Sequence, residues 1–188
     1  MPGRNADDWP ADTRTSYDTV AVDYADRLRG VLAGAPYLRA ALALFADLVR
    51  AARGGPVGAS RGGRAGGAGR WGGPVGGGPV GGGPVADVGC GPGHVTDRLR
   101  ELGLDVFGID LPPGMIEVAP ARAPRPAVRG GLDDGPRLAD ASVAGLLAFW
   151  SLIRLPDEAV PAVLDRFRGC CAPADHCCSA STSASGRA

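Results

Sequence analysis

Large aromatic side chains are scarce in this chain: three Trp, three Tyr and four Phe make up 5 % of 188 residues. The hydrophobic fraction of 45 % rests largely on Ala and Val, so one domain's core has to be assembled from small and medium side chains. An excess of charge of either sign is missing as well. The 20 basic and 20 acidic residues cancel to a formal net charge of zero, which excludes the electrostatic footprint of a nucleic-acid partner or an anionic membrane surface. No apolar run approaches the roughly 20 residues that cross a bilayer. The opening "MPGRNADDWPADTRTS" lacks the apolar centre of a signal peptide, so a cytoplasmic protein with no membrane partner is expected. Cysteine is nearly absent until the end: Cys90 stands alone, and Cys170, Cys171, Cys177 and Cys178 crowd the last 19 residues.

Glycine and proline are what the chain has in excess, 31 and 17 residues respectively, and the glycine excess is local. Residues 53–83, "RGGPVGASRGGRAGGAGRWGGPVGGGPVGGG", have neither helical nor strand period and almost no large apolar side chain. Such a segment cannot bury enough surface to offset its ordering entropy, and it reads as a disordered linker or insertion. It divides the chain into an N-terminal helical cap (1–52), the linker (53–83), a core (84–168) and a tail (169–188).

In the cap, residues 13–29 place Tyr17, Val20, Ala21, Tyr24 and Leu28 on one helical stripe, with Thr13 or Thr15 as an N-cap. Residues 37–52 repeat the pattern with Leu38, Leu42, Phe45, Leu48 and Val49. The core alternates. "PVADVG" reads as a buried strand, and "HVTDRLRELG" as a helix with Val95, Leu99 and Leu102 inward and Gly103 as its stop. "LDVFGID" is a second strand, and "PPGMIEVA" a helix with proline in its first turn. "ASVAGLLAFWS" is apolar almost throughout, as central parallel strands are. "PDEAVPAVLDRFR" is a helix capped by Asp157, with Val160, Val163, Leu164 and Phe167 on one face. Strands alternating with helices predict an α/β fold, a Rossmann-like, doubly wound and mostly parallel sheet preceded by the N-terminal helices.

The first strand runs into Gly89, Gly91 and Gly93, and a helix starts at about His94. Glycines there let the backbone turn tightly and approach a ligand, while the helix N-terminus offers N–H groups. Gly-x-Gly alone says little. Here a strand precedes it, a helix follows, and Asp110 closes the next strand 17 positions after Gly93, placed to take the two hydroxyls of an adenosine ribose.

The segment "VADVGCGPGHVTDRLRELGLDVFGIDLPPGMIEVA" closely resembles the first motifs of class I S-adenosylmethionine-dependent methyltransferases, in particular the actinobacterial enzymes that act on small molecules. The resemblance implies S-adenosyl-L-methionine as cofactor and a small-molecule methyl acceptor as partner. It implies that Asp87, Gly89, Cys90, Gly91 and Gly93 face the methionine part of the cofactor. Asp110 would hold the ribose, with Leu111 and Met115 beside the adenine. "LLAFWSLIRLPD" is similar to the family's fourth-strand motif, whose end lines the site, which brings in Ala148, Phe149, Trp150 and Ser151. "SYDTVAVDYADRL" is similar to the helix that covers the pocket in this group, which brings in Tyr17 and Tyr24. Trp150 reads equally as core packing or as site wall, and the two tyrosines read as helix–sheet contacts or as ligand contacts.

The sulfonium carries an activated methyl group, so the protein mainly aligns the acceptor, and a base is needed only if the acceptor must lose a proton. No residue is assigned as catalytic: His94 sits at a helix N-terminus, where positive charge is disfavoured, and His176 lies in the tail. His94 reads as a loop residue beside the cofactor. An NAD(P)-dependent oxidoreductase is the alternative reading, and a non-catalytic remnant of a methyltransferase a third. Two features separate the first alternative. Asp87 stands where dehydrogenases carry an apolar residue, and the third glycine comes one position early, Gly-x-Gly-x-Gly.

Two stretches depart from the family pattern. The tail "GCCAPADHCCSASTSASGRA" pairs its cysteines side by side, poor geometry for chelation compared with Cys-x-x-Cys, so no metal is expected. Back-translated with GC-rich codons and read one base out of frame, it spells LLRPGGPLLLGFHVGERP, the turn and apolar fifth strand of the family. Residues 126–137, "PAVRGGLDDGPR", shifted likewise, can be read through codon degeneracy as LRFEVGSMTALD, which resembles the third strand and the acidic loop after it. As translated, the sheet is expected to lack its third and fifth strands and everything beyond them, leaving the fourth with an unpaired apolar edge.

Overall fold

A computed structural model describes residues 9–52, 83–119, 128–129, 138–171 and 179–180. Two helices come first, α1 (Trp9–Leu28) and α2 (Pro36–Ala52). Then follow β1 (Val85–Val88), α3 (His94–Glu101), β2 (Val106–Asp110) and α4 (Pro113–Val118). The remaining elements are β3 (Val128–Arg129), β4 (Gly145–Leu147), a 3₁₀ turn at Leu152–Arg154, α5 (Val160–Cys170) and β5 (Ser179–Ala180).

The strands form one parallel sheet in the order β3-β2-β1-β4-β5. Val85 pairs with Val106 on one side and Gly145 on the other, so β1 is central. The chain runs outward one way from β1 to β3 and the other way from β4 to β5. The reversal between β1 and β4 is the switch point at which doubly wound sheets bind ligands. The expected Rossmann-like α/β fold is borne out.

Strand periodicity sorts the core into two layers. Val85, Val106 and Leu147 face α2 and α3, where they pack with Leu42, Phe45, Val49, Val95 and Leu99. Ala86, Val88, Phe107, Ile109 and Leu146 face the other way, against Val163 and Phe167 of α5. Gly145 lets α2 close on the sheet: a Cβ there would lie 2.9 Å from Val49 Cγ2 and 3.5 Å from Phe45 Cζ. Arg50 fastens the same helix to α3, donating to the Leu102 carbonyl while pairing with Asp47 at 2.7 Å.

Several expectations are corrected. The first helix begins at Trp9, so Thr13 and Thr15 lie inside it and neither caps it; the Thr15 carbonyl accepts from Thr19 Oγ1 at 2.8 Å. Of its proposed stripe, Ala21 alone is buried, while Val20 is 43 % exposed. The strand expected over 141–151 lasts three residues, because the backbone leaves extended geometry before Trp150, whose φ is 57°. Asp157 does not cap α5, which starts at Val160 with Ala159 as its flanking residue and no side-chain cap. The third and fifth strands are present as two-residue pieces: Val128 and Arg129 pair with Ile109 and Asp110, and Ser179 and Ala180 pair with Leu146 and Leu147. The outer edge of β4 is therefore covered, with Val143 bridging to Cys171 beside it. Backbone pairing asks little of side-chain identity, and two residues suffice for it even where the sequence departs from an apolar strand pattern. The linker apart from Gly83, and most of the tail beyond Cys171, lie outside the described residues.

Candidate functional site

At the carboxyl end of β1 the chain meets three glycines in left-handed geometry, Gly89 (φ 76°), Gly91 (φ 54°) and Gly93 (φ 87°). A side chain at Gly89 has no room: its Cβ would stand 2.2 Å from Ser151 Cβ. The loop is locked onto the end of β2, since the N–H groups of Gly89 and Cys90 donate to the Ile109 carbonyl at 2.7 and 3.1 Å. Gly93 N–H closes the turn on the Cys90 carbonyl at 3.0 Å, and Asp97 N–H makes the first helical bond to Gly93 at 2.8 Å. Gly93 is thus the flanking residue of α3, whose first N–H groups have no partner within the helix.

Asp110, last residue of β2, clasps this loop. One carboxylate oxygen accepts from Gly91 N–H and the other from Leu111 N–H at 2.7 Å. Burial raises its pKa, and those two donors oppose the rise. Each oxygen keeps a second lone pair for a further donor. Asp87, on β1, turns to the α3 side of the sheet, where Thr96 Oγ1 donates to Oδ2 at 2.5 Å. It is 1 % exposed. Burial pushes its carboxyl from 3.8 to about 7, the Thr96 bond opposing and the Asp110 charge assisting. Cys90 is a buried thiol pushed well above its ordinary pKa, first by burial and then by the two neighbouring acids, which makes it a poor nucleophile.

These groups open into a cleft that is partly open to solvent. Its floor is Asp87, Val88 and the Gly89–Pro92 loop; Asp110, Leu111 and Met115 form one wall. The opposite wall is Phe149, Trp150 and Ser151, from the chain beyond β4. Helix α1 crosses the mouth and contributes Thr13, Tyr17, Tyr24 and Leu28. Asp18 Oδ1 pins that helix by accepting from Gly114 N–H of α4 at 2.7 Å. Gly114 also lets the two helices touch: a Cβ there would lie 3.2 Å from Ala21 Cβ.

Of the fourteen residues that the sequence brings to the site, twelve line this one cleft; Gly93 acts as the helix cap instead, and Ala148 is buried in the core. Tyr17 and Tyr24 meet edge to face with centroids 5.7 Å apart, and Phe149 stacks on Trp150 at 5.1 Å. Trp150 is 47 % exposed, so it is site wall and not core. His94 and Ser151 line the cleft too, each with a buried polar atom (Nδ1 and Oγ) that has no hydrogen-bond partner. Burial lowers the His94 pKa, which keeps the imidazole neutral at pH 7. Thr13 and Leu28, read in the sequence as a helix cap and a stripe residue, were not read as part of the site, and Asp18 was not singled out. Thr13 and Leu28 sit one turn before Tyr17 and one after Tyr24, so helical spacing alone could have found them; Asp18 carries no local signal.

Residues 85–174 match the family model described as a methyltransferase domain. No curated protein matches the sequence significantly. Among solved structures, the chain is similar to an S-adenosylmethionine-dependent methyltransferase from Mesorhizobium loti, with 24 % identity over 48 % of this chain and 42 % of that one, at a TM-score of 0.42. A methyltransferase from Archaeoglobus fulgidus gives 21 % identity over 48 % of this chain and 40 % of that one, TM-score 0.42. Magnesium protoporphyrin IX methyltransferase from Synechocystis, solved with bound S-adenosylmethionine, gives 23 % identity over 44 % and 42 %, TM-score 0.37. The chain spans less than half the length of each of these proteins. The resemblance of the core to class I S-adenosylmethionine-dependent methyltransferases is borne out by the family match.

Proposed function

From a core that matches a methyltransferase domain, we infer that this protein binds S-adenosyl-L-methionine in the β1–β2 half of the cleft and transfers its methyl group to a small-molecule acceptor. The observation that carries the reading is Asp110, whose two oxygens order the glycine loop through Gly91 and the next residue through Leu111 while each keeps a lone pair for a ribose hydroxyl.

The residues present fit this cofactor. Gly89, Gly91 and Gly93 keep the loop in left-handed geometry, and Gly89 leaves no room for a side chain beside Ser151. Leu111 and Met115 supply buried apolar surface beside Asp110 for a flat base. His94 Nδ1 at the far end of the loop and Ser151 Oγ beside Gly89 are polar atoms still lacking partners. When bound, the cofactor supplies an electrophilic methyl group on a positively charged sulfur. Asp110, on the wall beside the glycine loop, places negative potential there, which favours a cation. Helix α1, held by Asp18, lies across the mouth with Tyr17 and Tyr24. Neutral His94 is the titratable lining group able to accept a proton near pH 7 besides Asp87, whose buried carboxyl is engaged with Thr96.

The test is isothermal calorimetry of the full chain with S-adenosylmethionine, wild type against Asp110→Ala. Loss of two anchoring acceptors should weaken binding at least tenfold, each charged hydrogen bond contributing about 1.5–3 kcal/mol. Equal affinity in the two proteins would exclude the ribose role of Asp110 and with it this reading of the site.

A further inference from the structure

Four of the chain's ten aromatic residues, Tyr17, Tyr24, Phe149 and Trp150, gather around this one cleft. One of them holds conditions that folding alone does not favour. Trp150 keeps a left-handed backbone (φ 57°), a conformation strained for any residue but glycine. It also leaves 47 % of its surface exposed while stacked nearly parallel on Phe149, at an interplanar angle of 17°. The strained turn throws the indole outward to the rim instead of letting β4 continue into the core. Across the opening stands the Tyr17–Tyr24 pair, at 77° to each other, with Tyr24 beside the glycine loop: a Cβ on Gly91 would lie 3.9 Å from Tyr24 Cε1.

Charge completes the picture. The acidic residues that line the cleft are Asp87 and Asp110, and among the described residues no Lys or Arg lines it. A carboxylate or phosphate on the acceptor would enter acidic surroundings with no cation to meet it. Saturated rings and chains would fill the volume but forgo the face of the Phe149–Trp150 stack.

We propose that the β4 side of the cleft receives a planar aromatic acceptor that carries no anionic group, its ring laid against the Phe149–Trp150 stack. This names the substrate class of the site, and it rests on the proposed function only in assigning the β1–β2 side to the cofactor.

The test is calorimetric titration of the full chain with three probes, each with and without saturating S-adenosylhomocysteine: 2-naphthol, its anionic relative 6-hydroxy-2-naphthoate, and the saturated decahydro-2-naphthol. The inference expects 2-naphthol to bind at least tenfold more tightly than either of the others. Trp150→Ala should weaken 2-naphthol at least tenfold, and Trp150→Phe, which keeps an aromatic face, by less than threefold. Equal affinities for the aromatic and saturated rings, preference for the anion, or no binding of 2-naphthol in either condition overturns the inference. So does a folded Trp150→Ala that binds it as the wild type does. Should that variant fail to fold, the ranking of the three probes on the wild type decides alone. S-adenosylhomocysteine is titrated separately. Its binding without discrimination among the probes removes this inference and leaves the proposed function, and the converse result removes the proposed function and leaves this inference.

Discussion

Replacing Asp87 with Asn should make the protein's stability less dependent on pH. Asp87 is 1 % exposed on β1, and its carboxyl is raised from 3.8 to about 7, first by burial and then by the nearby Asp110 charge, against the Thr96 hydroxyl bond and the Arg100 charge. The folded protein therefore holds this proton more tightly than the unfolded chain does. Stability from the protonated form is complete below about pH 4, declines as pH rises, and is lost above about pH 7. A shift from 3.8 to about 7 corresponds to on the order of 4 kcal/mol across that window. Asn keeps an oxygen to accept from Thr96 Oγ1 and carries no charge, so the variant forfeits the titration and not the hydrogen bond. Urea unfolding of both proteins, followed by far-UV circular dichroism at pH 4.5, 6, 7 and 8, measures the difference. The variant should gain relative to the wild type as pH rises, by several kcal/mol in total. Two curves that stay parallel from pH 4.5 to 8 would refute the raised carboxyl, and with it the burial that causes it.

Gly89→Ala forces a Cβ to 2.2 Å from Ser151 Cβ at a left-handed position, and should cost about 3 kcal/mol or more in urea unfolding. Adding Ser151→Gly should recover the steric part of that loss and leave about 1–2 kcal/mol of backbone strain. Asp18→Ala frees the Gly114 N–H and removes about 1 kcal/mol that holds α1 across the cleft, so amide exchange within residues 9–28 should speed up severalfold while α2 is unaffected. Unchanged exchange there would mean that packing alone seats the helix. Leu146→Ala, in the fully buried middle of β4, should lower the unfolding free energy by about 2–5 kcal/mol.

What could be read from the sequence was whatever is local. The strand before Gly89 and the helix after Gly93 carry their own periodicity, and the interval to Asp110 spans one strand–helix–strand unit, so this part of the fold and most of the cleft lining were legible. The α2 stripe was legible for the same reason, Leu38, Leu42, Phe45 and Val49 being buried, although Leu48, read on the same stripe, is 39 % exposed. Long-range choices were not. Helix α1 buries little apart from Ala21, because its stripe borders a cleft instead of a core, and hydrophobic spacing does not distinguish the two. The apolar run 141–151 looked like one strand, yet only Gly145–Leu147 pairs, since the positive φ of Trp150 is set by the site and not by propensity. Asp18 could not have been found at all: its partner is 96 residues away and is a backbone N–H, which has no sequence identity. The short β3 and β5 pairings likewise leave no side-chain pattern to read.

The central claim is that the Asp110 end of the cleft is built for the adenosine of S-adenosylmethionine and not for a dinucleotide. Parallel titration of the full chain with S-adenosylmethionine and with NAD⁺, followed by thermal unfolding, tests it most directly. At a ligand concentration a hundredfold above its dissociation constant, binding contributes about 2.7 kcal/mol, enough to raise the unfolding temperature by several degrees. A rise with S-adenosylmethionine and none with NAD⁺ is the predicted result. A rise with NAD⁺ alone, or with neither, would contradict the account.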